Sequence, residues 1–233
     1  MRSLAKIARE FSGGRLRTTI SQNILIHWVP EKSLKSLFSR LQPLGLAEKG
    51  AETITDVTRC PGADTCQIAI THSKGLAFEV GKIFTNGYGS DPVFRDITIK
   101  ISGCTNSCGQ HHIANIGYHG ASKTVDGKAV PHYQLMIGGY TAKNGVAVFG
   151  KRIAQIPARR TPEATRVILD AFKSGKNPSE TFLQWAERAG ADQLKKIVEP
   201  FTTIPSQDPL MYEDLGDPGK PFQLQMGKGE CAA

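Results

Sequence analysis

The chain has 233 residues, 39% hydrophobic and 21% charged, with 29 Lys and Arg against 21 Asp and Glu, a formal net charge of +8. That length suits one large domain or two small ones, and that balance belongs to a chain that buries a core, not to a disordered one. No apolar run approaches the ~18 residues that cross a bilayer, and Arg2, Lys6, Arg9 and Glu10 interrupt the first eleven residues, so neither membrane anchorage nor export is expected and the cytoplasm is the expected location. Residues 199–233 carry two basic and six acidic residues, a net charge of −4 that leaves +12 on the rest. A basic body suits an acidic protein partner or small anions. Aromatic residues are only 7% and no basic stretch is interleaved with them, so a nucleic-acid partner is not expected.

In chain order, Leu4, Ile7, Ala8 and Phe11 fall on one face of a 3.6-residue period, which predicts a helix broken by Gly13-Gly14. Arg15–Thr19 and Asn23–Val29 read as two β segments. A second amphipathic helix follows Pro30, with Leu34, Leu37, Phe38 and Leu41 on its stripe, and Pro43 and Gly45 end it. Asp56–Arg59 reads as a short strand and Thr65–Phe84 as a helix. Ile97, Ile99 and Ile101 alternate with Thr98 and Lys100, the pattern of a half-buried strand. Further β segments are predicted at Ile113–Tyr118, His132–Ile137 and Val146–Phe149. Thr161-Pro162-Glu163 reads as a capped helix start, with Val167, Ile168, Ala171 and Phe172 as its apolar face. Ser179–Ala189 reads as a helix ended by Gly190, and the Pro-, Gly- and Asp-rich last thirty residues as an extended arm.

Four of the five cysteines form two tight pairs, Cys60 and Cys66 in C-P-G-A-D-T-C and Cys104 and Cys108 in G-C-T-N-S-C-G. Thiolates bind soft metals, and four of them satisfy a 4Fe–4S cube. Gly62, Gly103 and Gly109 beside them would let backbone N–H groups reach sulfur and tune a cluster's potential. Disulfides would need an oxidising compartment. A structural zinc site usually spaces its ligands two to four apart, which fits the first pair poorly. On spacing alone, an iron–sulfur cluster leads, with zinc and inert core cysteines as alternatives.

T-R-C-P-G-A-D-T-C at 58–66 and I-K-I-S-G-C-T-N-S-C-G-Q-H-H-I-A-N-I-G at 99–117 resemble the siroheme and 4Fe–4S signature of the nitrite/sulfite reductase family. G-G-R-L-R-T-T-I-S-Q-N-I-L-I at 13–26, with V-P-E and Gly45-Leu46 after it, is similar to that family's ferredoxin-like repeat, and the ending G-K-G-E-C-A-A is similar to some bacterial members. The resemblance implies that Cys60, Cys66, Cys104 and Cys108 hold the cube, and that Cys108 also ligates the siroheme iron, so that one sulfur links electron store and reaction centre. It places Arg17, Gln22 and Asn23 near the siroheme pocket, the alternative being a β-strand with a solvated turn. Asn106 is a candidate to hydrogen-bond cluster sulfur, or alternatively to cap a helix. His111 and His112 are candidate proton donors because imidazole titrates near neutrality, and Arg15, Arg17, Lys74 and Lys100 are the first candidates to face an anion, Arg17 being the third catalytic candidate beside the two histidines. Cys231 reads as a free thiol with no assigned role.

The resemblance implies an α+β protein: a ferredoxin-like half-repeat over 1–50, a sulfite-reductase-type α/β sandwich carrying both cofactors over 51–160, and a helical tail with an extended arm over 161–233. The implied activity is six-electron reduction of sulfite to sulfide, or of nitrite to ammonia, with electrons from an acidic donor such as ferredoxin. A corrin-biosynthesis enzyme with the same cluster motif and a non-catalytic iron–sulfur electron carrier are the alternatives. Family enzymes have two pseudo-symmetric halves, and the match is to the second. Most of the arginines and lysines that grip the anion belong to the first, so the chain is expected to be incomplete by itself, either as a half-enzyme that pairs with another chain or as a C-terminal piece.

Overall fold

The computed structural model describes residues 1–142, 145–205 and 208–224, and the chain divides into two compact units, Met1–Glu52 and Thr53–Ala233. In the first, helix α1 (Arg2–Ser12) buries Leu4, Ile7 and Ala8 and stops at Gly13, whose φ of 61° is the left-handed conformation that glycine adopts without a Cβ penalty. Strands β1 (Leu16–Thr18) and β2 (Ile24–Ile26) form an antiparallel hairpin with Arg17 opposite Leu25. Helix α2 (Leu34–Leu41) buries Leu37 alone of the apolar stripe, while Leu34 and Phe38 are exposed.

The second unit is built on a five-stranded mixed sheet of order β3-β4-β5-β6-β9. Strands β3 (Thr58–Arg59), β4 (Ile99–Ser102) and β5 (Ile116–Val125) run parallel; β5, β6 (Lys128–Ile137) and β9 (Lys151–Pro157) are antiparallel neighbours, with an irregularity at Leu135/Met136. Between β6 and β9, β7 (Tyr140–Thr141) and β8 (Ala147–Val148) pair as a small flap. Register sets the two faces, because side chains alternate along a strand. Ile99, Ile116 and Ile137 stand in one row and Ile101, Tyr118 and Leu135 in the next. These join Leu76 and Val80 of helix α3 (Ser73–Ile83), Ile168 and Phe172 of α4 (Thr161–Gly175), and Trp185 and Leu194 of α5 (Phe182–Val198) in one core. The helices expected as a tail therefore share the sheet's core. The opposite parity carries the polar row Ser102, His119 and Gln134, with Lys100 in the neighbouring row opposite Gly117.

Several boundaries differ from expectation. The helix expected from Thr65 starts at Ser73; the segment before it is held as a loop because the N–H groups of Ile70 and Thr71 both donate to the Gly103 carbonyl. The strand expected at Ile113–Tyr118 begins at Ile116 and runs on to Val125, where Asp126 (φ 50°) and Gly127 (φ 74°) make the tight turn of a long hairpin. Strand β9 was not anticipated. Thr161 is no cap: its Oγ1 donates to the Pro157 carbonyl inside the helix's first turn. Helix α5 starts after Thr181, which forms a reciprocal capping box with Gln184, and its axis is interrupted at Gly190 (φ 73°) but resumes to Val198. The described part of the arm, residues 208–224, is folded down rather than extended. Asp214 is 2% exposed and accepts the N–H groups of His72 and Leu215, both at 2.7 Å.

Candidate functional site

Because β3 and β4 are parallel neighbours, the loops that follow them leave the same end of the sheet. Arg59 pairs with Ile101, and the Cys60 N–H donates to the Ile101 carbonyl at 3.1 Å, so the two cysteine pairs, 38 residues apart at their nearest, open side by side. Cys60 is buried, Cys66 and Cys104 are half-buried and Cys108 is exposed. The Gly103 N–H donates to the Cys60 sulfur at 3.1 Å. Ser73 Oγ donates to the Cys60 carbonyl at 2.7 Å and lies 3.4 Å from its sulfur. Burial pushes the Cys104 thiol up; the Asn106 backbone N–H, which donates to that sulfur, pulls it down, and charge on Cys60, Cys108 and Cys66 pushes it up again. Cys104 thus lies within electrostatic reach of the other three cysteines, and a bound cationic cluster would relieve the repulsion it meets as a thiolate.

The glycines make this approach possible. A Cβ on Gly62 (φ +65°) would lie 2.5 Å from the Ser73 nitrogen, one on Gly103 2.6 Å from the Thr71 carbonyl oxygen, and one on Gly109 2.0 Å from the Ile101 oxygen. No described group of three or more His, Cys, Asp or Glu side chains converges on a single metal ion. Four thiolates from two loops that leave the same end of the sheet are the donor set a 4Fe–4S cube takes, one to each iron.

Beside the second pair stand three histidines. His111 is fully buried, its Nδ1 2.9 Å from Ser102 Oγ, which also accepts the Gly109 N–H at 3.0 Å. Its Nε2 is buried with no partner. Its ring lies 4.1 Å from that of His112 and 4.8 Å from that of His119. Burial, reinforced by His112, His119 and Arg152, holds the His111 imidazole down at about 3, and burial lowers His119 as well. Burial thus favours the neutral imidazole of His111, which weighs against the proton-donor role expected of it. His112 is half-buried, with Nδ1 2.9 Å from Ser107 Oγ.

The remaining candidates belong to both units. Arg17 is exposed on β1; Gln22 (φ 64°) and Asn23 form the β1–β2 turn, where the Asn23 N–H donates to Thr19 Oγ1 at 3.0 Å. Arg15 lies over Trp28 at 5.8 Å. Lys74 is in the first turn of α3, and Lys100 Nζ donates to Gln110 Oε1 at 2.7 Å. Asn106 contributes its backbone N–H to sulfur, and its residue is exposed. Cys231 and the 227–233 ending lie outside the described residues. Sequence reasoning missed Ser73, Ser102, Ser107 and Asp214. Asp214 helps line a cavity of about 470 Å³ beside Cys66, with Ala63, His72, Lys220 and Phe222. Only Ser107 carried a local signal, its place directly before a cysteine.

Residues 50–204 match the family described as the nitrite and sulphite reductase 4Fe-4S domain, and residues 1–44 match the nitrite/sulfite reductase ferredoxin-like half domain. Among curated proteins, the chain is 28% identical over 204 residues to the assimilatory ferredoxin-dependent nitrite reductase of Haloferax mediterranei, covering 86% of this chain and 34% of that protein. It is 32% identical over 142 residues to the chloroplastic ferredoxin–nitrite reductase of Zea mays (60% and 24%). It is 25% identical over 202 residues to ferredoxin sulfite reductase 2 of Mycolicibacterium paratuberculosis (83% and 35%). The chain thus spans well under half the length of these relatives. The Mycobacterium tuberculosis NirA structure superposes with a TM-score of 0.68 at 24% identity, over 82% of this chain and 36% of that one. A dissimilatory sulfite reductase I structure gives 0.64 at 11% identity, over 94% and 71%. At those identities the likeness is one of fold.

Proposed function

Because the chain belongs to the nitrite and sulphite reductase 4Fe–4S family, whose cofactors are a 4Fe–4S cluster and siroheme, we propose that it is the cofactor-holding half of an enzyme that reduces sulfite to sulfide. The observation that carries this is the meeting of two cysteine loops at the ends of adjacent parallel strands. In this reading Cys60, Cys66, Cys104 and Cys108 hold the cube, and Cys108, the exposed member, also reaches the siroheme iron. The siroheme and cluster supply the six-electron chemistry. The chain's residues hold the sulfurs, donate N–H groups from Gly103 and Asn106 to them, and bury one side of the site.

Nitrite to ammonia is the second reading, favoured by the nitrite reductases among the relatives. The electron donor is proposed to be an acidic ferredoxin, matched to the basic body, and the location the cytoplasm. No described helix is long and apolar enough to cross a membrane.

Anaerobic reconstitution with iron, sulfide and siroheme tests the reading. Iron and acid-labile sulfide in near-equal amounts and a haem-like spectrum are the expected result; stoichiometric zinc without labile sulfide would sink it. A viologen-driven assay, with and without a family N-terminal half as a second polypeptide, then decides the substrate. A higher kcat/KM for nitrite than for sulfite selects the second reading, and a cluster spectrum without siroheme selects an electron carrier.

A further inference from the structure

Cys108 is the most exposed of the four thiols, and its place depends on its neighbours. Ser107 before it has φ +60° and Gln110 after it φ +62°, left-handed conformations that residues with a Cβ keep only when their surroundings over-determine them. Each is tied down. The Gln110 N–H donates to the Ser107 carbonyl at 2.7 Å, and its Oε1 accepts from Lys100 Nζ at 2.7 Å. Gly109 between them donates to Ser102 Oγ, the partner of His111. Ser107 is held through its hydroxyl by His112 Nδ1 at 2.9 Å, and the His112 ring lies between His111 at 4.1 Å and Phe149 at 5.1 Å.

We propose that His112 is a positioning residue for Cys108: wedged between His111 and Phe149, it fixes the Ser107 hydroxyl and so the left-handed turn that aims the Cys108 thiolate. The inference rests on the reading that Cys108 is the ligand shared by cluster and siroheme. It replaces proton donation as the use of this histidine with an orienting one. Partners that orient a ligand typically change affinity 10–100-fold when removed. Asparagine can present a polar atom near the position of Nδ1, and glycine adopts positive φ with no Cβ to oppose it. Two different repairs of the same turn are therefore available.

The test uses the full chain loaded with iron, sulfide and siroheme, and reads siroheme retention on gel filtration and the low-temperature EPR spectrum of the reduced cluster. His112→Ala is expected to keep near-parental iron and sulfide, to lose siroheme about tenfold faster, and to shift the cluster signal. His112→Asn should restore both readouts, and so should Ser107→Gly placed in the His112→Ala background. A His112→Ala protein with parental retention and spectrum overturns the inference, as does a loss that neither repair reverses. If Cys108→Ser leaves both readouts unchanged, the shared-ligand reading fails and this inference with it. Should His112→Ala fail to fold, Ser107→Ala carries the same expectation, and its parental behaviour is equally decisive against the proposal.

Discussion

At the scale of single residues, the cysteines were legible because their chemistry is local: two short spacings beside glycines specify a soft-metal site before any fold is known. The histidines were not, because adjacency in sequence does not reveal which imidazole is enclosed. His111 faces Ser102 from a 3₁₀ turn that rests on Gly117, where a Cβ would lie 2.0 Å from the His111 carbonyl oxygen. Enclosure has a consequence for acid stability. The folded-state pKa of His111, about 3, lies below the unfolded value near 6.5. The unfolded chain therefore binds the proton first, and stability falls as pH drops from about 6.5 toward 3. For this one group the loss is about 2 kcal/mol by pH 5. Urea midpoints at pH 7.5 and 5 for the parent and His111→Asn should show the variant losing less by about that amount. His119 and His132 are shifted down by burial too, so the variant keeps part of the acid sensitivity. Equal losses in the two proteins would place the acid-labile group elsewhere.

At the scale of elements, periodicity found the strands and helices that bury a single stripe, such as α1 and β4. It erred where tertiary contacts decide. The apolar stretch before Ser73 reads as helix, yet its amides are taken by the Gly103 carbonyl. The arm, polar and rich in turn formers, gives no hint that Asp214 is a buried acceptor. Gly75 of α3 exists for that arm: a Cβ there would lie 2.4 Å from the Gly216 nitrogen, and one on Gly216 2.3 Å from the His72 Cβ. Arg159 adds an ion pair to Glu213 at 2.9 Å. Asp214→Ala would leave two N–H groups without their acceptor, at about 1–3 kcal/mol, and Gly75→Val would wedge the arm off α3. Both variants should expose the arm to limited proteolysis while the body, with its core of strands and helices, stays resistant. Parental proteolysis patterns in both would show that the arm is held by other contacts.

At the scale of the molecule, charge is the property that no single element carries. The 29 basic residues outnumber the 21 acidic ones, and an acidic excess of four is concentrated in residues 199–233, leaving +12 on the remainder. A field of that sign gathers an anionic partner from beyond contact distance and raises its on-rate without adding to the contacts made on arrival. Small anions are drawn in by the same field, but in the proposed reaction their arrival would seldom be slow enough to set turnover, whereas the docking of a protein donor would recur for every electron delivered. Steering is screened over a Debye length of about 8 Å at physiological salt and about 30 Å at 0.01 M. If the proposed function holds, reduction of the cofactor-loaded chain by an acidic ferredoxin, with a family N-terminal half supplied, should therefore slow by about tenfold or more between 0.01 and 0.5 M salt. Reduction by a small cationic viologen over the same range should fail to slow, since the body repels that dye and salt relieves the repulsion. The pair of measurements separates steering from a general effect of salt on the enzyme. A ferredoxin rate that is flat across the series would point to docking through an apolar surface, and a parallel slowing with both donors would place the salt effect on the protein itself.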